Sequence, residues 1–381
     1  MRVICSRRQL SKALSVVGRA VRCHTSSLIA NHVLLVAEDH RLRLTAANRE
    51  LAIVARVDAD VSGGGAIAAP GRLLAQLVRS LSDDRITLDV ACQRQTLMVS
   101  GSRAVASVKG LDAAEFPPID QIAEPPLFAV SGADLRLAIA AVQFAVARDE
   151  CRPQLSGLLV RAQGAELTLV SCDSFRLAVY RLTLAAPVAE DIDLIVPART
   201  MADVTRLQGA SADAVRFAVA ANRAQVLLHT SAVDIVSRLI DGSYVAFDRV
   251  LDQTAQHNVK ATVATAEFRR AARFTSLVSK DANHTLRLQI APPNGAGGTG
   301  LLTLHATAAQ LGENATEVDA AVEGAGGQLA VDNTYVSDAL NSIGTQQVTL
   351  SGTVGKLAPL LLKPVGNDGL VCAVMPLHLQ H

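Results

Sequence analysis

RRQLSKALSVVGRAV, residues 7–21, decides the fold, because the chain repeats its pattern at long range. Leu10, Leu14 and Val17 fall at helical spacing. The pattern returns as ADLRLAIAAVQFAVA (133–147) and as AEFRRAARFTSLVS (266–279), with Leu10, Leu135 and Phe268 in equivalent places. A long-period repeat has to be found first, since missing it misassigns the whole architecture.

The segments after each helix repeat as well. Alternating apolar and polar residues mark paired strands with one buried face: HVLLVAEDHRLRLTAANRELAIVARV from residue 32, SGLLVRAQGAELTLVSCDSFRLAVYRL from 156, and HTLRLQIAPPNGAGGTGLLTLHATAA from 284. A second helix then starts near Pro70, near Pro197 and near Asn333, the prolines suiting a first helical turn. More strands close each copy: RITLDVACQRQTLMVSG, AVRFAVAANRAQVLLHT and QVTLSGTVGKLAPLLLK. The expected class is α+β: three repeated domains, each with two helices packed on antiparallel sheets. Polar or proline-containing connectors place the domains at 1–123, 124–253 and 254–381.

Composition narrows the function. Among 381 residues, 50% are apolar, which fills several cores, but only 3% are aromatic and Trp is absent. A stacking platform for single-stranded nucleic acid needs more aromatic surface than that. No run of about 18 apolar residues offers a membrane span, and MRVICSRRQLSKAL carries no apolar leader core, so the expectation is a soluble, cytoplasmic chain. The six cysteines form no CxxC pair and read as reduced, mostly buried thiols, and the nine histidines form no HExxH. No metal or cofactor is expected.

Net charge is +1, yet the basic residues gather on the helical segments. Arg7, Arg8, Lys12, Arg19 and Arg22 occupy 7–22 without an acid between them. Arg136, Arg148 and Arg152 attend the second repeat's opening helix, diluted by Asp134, Asp149 and Glu150. Arg269, Arg270, Arg273 and Lys280 attend the third, against Glu267, while Arg72, Arg79, Arg199 and Arg206 fall in the second helices. A solvated face explains any one helix. The same bias repeated along the chain points to a helix-lined surface that follows phosphates. With no helix-turn-helix, zinc-finger or aromatic RNA-binding signature, contact would be to the backbone, salt-dependent and compatible with sliding.

Two motifs are set aside. GAGGTG (295–300) matches GxGxxG, but LLTLHAT after it reads as a strand, where a dinucleotide site needs a helix. Asp173 and Arg176, within LVSCDSFRLAVYRL (169–182), have no nearby histidine or second carboxylate to complete a catalytic site. They read as an ion pair holding a tight turn.

CDSFRLAV (172–179) resembles the TDxxRLAV element of bacterial DNA polymerase III beta subunits, the sliding clamps. The resemblance extends through FPPID (116–120), RLIDGSYVAFDRVL (238–251) and the ending VMPLHL (374–379); GKLAPLLLKPV (355–365) and Phe175 look actinobacterial. It implies a non-enzymatic processivity factor: a head-to-tail homodimeric ring with helices around duplex DNA, opened by a clamp loader, tethering the DNA polymerase III alpha subunit. The DNA-facing residues carried over are Arg19, Arg22, Arg72, Arg79, Arg148, Arg199, Arg206, Arg269 and Arg273. A pocket for partner peptides of a Gln-Leu-x-Leu-Phe type carries over to Leu155, Cys172, Ser174, Phe175, Arg176 and Leu177 in the second domain. Val245, Arg249 and Val250, then Tyr335 and Val374, Met375, Pro376 and Leu377, complete it. The dimer interface carries over to Val105, Ala106, Ser107 and Val108, facing Phe274, Leu277 and Val278 of a second copy.

The chain departs from the family pattern at several of these places. Cys172 replaces a Thr, Val245 and Asp252 replace prolines, His378 replaces an Arg, and Ala106 replaces a Phe of the dimer edge. Ser27-Leu28 and Asn48-Arg49-Glu50 also differ. These departures imply a weaker dimer and altered peptide choice. They keep open two alternatives to an ordinary clamp: a peptide-binding scaffold that does not close on DNA, and a secondary clamp tolerant of pocket-binding inhibitors.

Overall fold

The structure is a computed structural model. It describes residues 1–21, 28–91, 95–119, 125–149, 151–207, 213–252, 257–281, 283–293, 299–354 and 358–377. Among them, the repeat's helices are α1 (Arg7–Val17), α2 (Gly71–Ser80), α3 (Gly132–Val142), α4 (Ala198–Leu207), α6 (Thr265–Ser279) and α7 (Asn333–Ser342). A short helix, α5 (Phe247–Asp252), was not apparent in the periodicity. Its six residues are too few to show one.

Two helices stop short of the expected span. α1 ends at Val17, where Gly18 donates its N–H to the Leu14 carbonyl at 2.9 Å. α3 ends at Val142 and tightens into a 3₁₀ turn over Gln143–Ala145. Pro70 and Pro197 close the strands Gly65–Pro70 and Ile192–Pro197 instead of sitting inside the first helical turn. α7 starts from Asp332, whose carboxylate accepts from the N–H groups of Thr334 (2.7 Å) and Tyr335 (3.3 Å).

Packing divides the chain into two compact units that do not coincide with the repeats: 1–133 with 203–239, and 134–202 with 240–381. The reason is strand exchange between copies. In the first unit Val233–Arg238, the last strand of the second repeat, bonds the long strand Leu51–Gly63 of the first. Val54 lies opposite Asp234, and Ile53 opposite Ile235. In the second unit Leu370–Val374, the last strand of the third repeat, bonds Arg176–Thr183 of the second. There Val179 lies opposite Val371, and Ala178 opposite Cys372. Each unit therefore holds a twelve-stranded antiparallel sheet: an unbranched path in the second unit, and in the first a nine-strand path from which three strands branch at Leu51–Gly63.

Two open strand edges matter for this exchange. Among the described residues, Val105–Lys109, the last strand of the first repeat, bonds Thr96–Ser100 on one side only and ends its sheet. Residues 312–319 of the long strand Gly312–Gly324 bond Gly300–Ala308 on one side, and among the described residues no strand lies on the other.

Candidate partner groove and nucleic-acid face

The knot between Glu166–Cys172 and Arg176–Thr183 is built by one carboxylate. Asp173 Oδ1 accepts the backbone N–H of Phe175 (3.1 Å) and of Arg176 (3.0 Å), and Oδ2 accepts from Arg176 Nε at 2.8 Å. Ser174 takes a left-handed φ of 80°, which is unfavourable for a residue with a side chain. Two contacts hold it there: its N–H reaches Cys172 Sγ at 3.3 Å, and its Oγ accepts from Arg152 at 2.8 Å. The turn throws Phe175 outward, 59% exposed, with its ring stacked on Tyr335 at 6.4 Å.

Arg176 goes the other way, 8% exposed. Its guanidinium lies 4.6 Å from the Tyr335 ring and 5.5 Å from Phe144, and Nη1 donates to Asp338 at 2.6 Å. Burial works against its charge, and the carboxylates of Asp338 and Asp173 outweigh that. Its Nε and Nη1 donors are therefore spent inside the fold, so Arg176 frames the groove instead of offering those donors to a ligand. Phe144 and Asp338 escaped sequence reasoning because no local spacing links them to Arg176.

The groove floor is apolar. Leu155, Cys172 and Leu177 belong to a buried cluster with Phe247, Leu361 and Ala373, and Tyr244, Val250 and Leu251 pack against it. Burial pushes the Cys172 thiol and the Tyr244 phenol upward. Val374 is buried in its strand, whereas Met375, Leu377, Val245 and Arg249 are exposed and Pro376 is half-buried. Met375 N–H donates to the Phe175 carbonyl (2.8 Å) and Leu377 N–H to that of Ala330 (2.7 Å), so residues 375–377 cross the rim in a fixed register. Exposed Phe175, Val245, Met375 and Leu377 thus lie on segments that adjoin a buried apolar cluster, chemistry that suits apolar anchors of an extended peptide better than proton transfer.

The helix cations divide into two groups. Arg72, Arg79, Arg148, Arg199, Arg206 and Arg273 are exposed. Arg19 is committed to the buried carboxylate of Asp203 at 2.7 Å. Arg269 Nη2 donates to the carbonyls of Leu340 (2.7 Å) and Ile343 (2.9 Å), satisfying the end of α7. These two half-buried cations therefore also serve the fold. Arg22 lies outside the described residues, as do His378, Ser27, Gly355, Gly295 and Gly297. Gly300 opens a strand, which removes the dinucleotide-loop reading.

At the edge strand, Val105 is 66% exposed, Ala106 half-buried, Ser107 exposed and Val108 buried. In the other unit Phe274 and Leu277 are exposed and Val278 half-buried. Phe274 borders a cleft of about 570 Å³ between α6 and the open edge 315–319, and Asn314 Nδ2 donates to its carbonyl at 3.0 Å.

Among known proteins, the N-terminal, central and C-terminal domains of the DNA polymerase III beta subunit match residues 1–120, 129–245 and 253–378. The beta sliding clamp of Staphylococcus aureus strain Mu50 is 27% identical over 369 residues, 94% of each chain. A sliding clamp from Pseudomonas aeruginosa, solved bound to griselimycin, is 27% identical with a TM-score of 0.91, covering all of both chains. The Bacillus subtilis clamp, at 21% identity and a TM-score of 0.91 over all of both chains, shares the fold.

Proposed function

Since the chain belongs to the DNA polymerase III beta subunit family, we propose that it is a DNA sliding clamp, a processivity factor that encircles duplex DNA and performs no chemistry of its own. Its partners are duplex DNA of any sequence, a clamp loader, the DNA polymerase III alpha subunit and other proteins bearing Gln-Leu-x-Leu-Phe-like motifs. Its place is the cytoplasm, at the nucleoid. Peptides dock on the groove around Phe175, Val245, Met375 and Leu377.

Strand exchange is the observation that carries the ring. At two junctions the last strand of one repeat bonds the long strand of the repeat before it. The unpaired partners of that scheme are Val105–Lys109 and residues 312–319. Joining each to the other in a second copy makes a third junction, twice, and closes a head-to-tail dimer. The register follows from the repeat. Ala59 faces Cys5 and Ala320 faces Val263, each two residues before its helix, so Ile53 corresponds to Asn314. Ser100 faces Val105 as His229 faces Asp234, so Ala106 corresponds to Ile235. Ala106 then lies opposite the partner's Asn314 and Arg103 opposite the partner's Glu317, while Lys109 and Glu313 add opposite charges to the two edges.

The test is retention on nicked circular duplex DNA after loading, against a matched linear duplex. Retention on the circle with loss from the linear form supports encirclement. Equal, salt-sensitive loss from both favours the scaffold that does not close, a reading that the small Ala106 on the joining edge keeps in play.

A further inference from the structure

The first unit contains a cavity of about 560 Å³, the size of a small-molecule site. It lies over a row of residues that crosses four strands: Leu34 faces Thr45, Thr45 faces Val54, and Val54 faces Asp234. The second unit holds the equivalent row, in which Leu159 faces Val170, Val170 faces Val179, and Val179 faces Val371. That second row is wholly apolar, buried in the cluster that contains Phe247, itself 1% exposed. One architectural position therefore occurs twice, once apolar and filled, once polar and open.

Three features set the open copy apart from a packing defect. Thr45 is 1% exposed, yet its hydroxyl has no hydrogen-bond partner among the described residues. An orphaned buried hydroxyl is costly, and valine, which fills the equivalent position, would remove that cost. The cavity is also lined by Arg43 and Arg56, with Asp234 as its one acidic wall residue. Each arginine is held by one nitrogen, Arg43 Nε on Glu38 at 2.5 Å and Arg56 Nη2 on Asp234 at 2.7 Å, so neither pair uses the whole guanidinium fork, and Asp234 is in turn 2.5 Å from His229 Nδ1. Finally, the connector here is Phe116-Pro117-Pro118-Ile119, which supplies cavity wall, where the second unit's connector supplies α5 and its buried ring.

We propose that this cavity binds a small organic monocarboxylate with an apolar body. Leu34, Leu227 and Val236 receive the body, the guanidinium groups receive the carboxylate, and the Thr45 hydroxyl satisfies its remaining hydrogen bond on the ligand. The site is separate from the groove around Phe175 and does not depend on encirclement of DNA.

The experiment titrates full-length protein with 2-naphthoate, read by calorimetry and by ligand-detected saturation-transfer NMR. One saturable site is expected, with 2-naphthamide binding at least fivefold more weakly. Thr45→Val should weaken 2-naphthoate about tenfold while raising the melting temperature, a combination that a purely structural threonine would not give. Leu34→Trp, or Leu227→Phe should that variant not fold, should abolish binding by filling the space, and Phe175→Ala should leave it unchanged. Absence of saturable binding, equal affinity for the amide, or full binding in the filled variants would overturn the proposal.

Discussion

Ala106→Ile should tighten the dimer, and the size of the effect can be worked from the chain's own repeats. At the two internal junctions the equivalent positions are Ile235, 3% exposed, and Cys372, 1% exposed. At the third junction the residue is Ala106, on the same inward face as the buried Val108. Isoleucine adds three carbons, each contributing about 0.8 kcal/mol when buried. Ordering the longer side chain returns about 0.5–1 kcal/mol. The net gain is about 1.5 kcal/mol per junction, and a closed dimer has two junctions, so about 3 kcal/mol in all. That corresponds to a dissociation constant lowered on the order of 100-fold. Sedimentation velocity across a dilution series from micromolar to nanomolar would measure it, with thermal melts confirming that the protomer is intact. An unchanged or raised constant in a normally melting variant would refute both the register and the correspondence of Ala106 with Ile235.

Other expectations concern the same molecule. Arg103→Glu should weaken the dimer at low salt, and adding Glu317→Arg should restore it; failure of the double variant to recover would break the proposed pairing. Arg176→Met removes a buried cation from between Asp173 and Asp338, at a cost of about 3–5 kcal/mol, so a melting temperature within a degree of native would contradict the framing role given to Arg176. Phe175→Ala should leave the melting temperature alone, since the ring is exposed, and weaken a Gln-Leu-x-Leu-Phe peptide by about tenfold in fluorescence polarisation. In thiol labelling at pH 8, Cys151 is exposed and should react fast, whereas Cys5 and Cys372, pushed up to about 12 by burial, should stay silent in the folded protein. Cys172, also raised by burial, should react slowly, faster as pH rises, and be protected by bound peptide.

The repeat was legible because helical periodicity is local and recurs: α1, α3 and α6 each begin within two residues of the quoted segments. The turn at Asp173 was legible for the same reason, since the bonds that the Asp173 carboxylate accepts lie within three residues. What the sequence hid were couplings made by strand exchange. Nothing near Arg19 announces Asp203, and nothing near Arg176 announces Asp338. An arginine on or just after a helix is read as solvent-facing by default, and Arg19 and Arg269 are half-buried because tertiary structure brings a carboxylate or a helix end to them. The open row under Thr45 was hidden likewise, because Thr45 and Asp234 look ordinary until the strand register shows that they hold the positions that Val170 and Val371 hold in the other unit.

Strand exchange also governs how the gene for such a chain can be cut. A fragment ending after the first repeat would lose Val233–Arg238 and bare the apolar strand Leu51–Ala55, two of whose residues, Ile53 and Ala55, are almost completely covered in the whole chain. Bare strands of that kind pair with whatever edge they meet. A fragment's most complementary edge would be its own Val105–Lys109 in another copy, so single repeats should polymerise into open filaments rather than persist as soluble domains. Circular permutation at a repeat boundary keeps every strand and merely moves the termini, and should be tolerated where truncation is not.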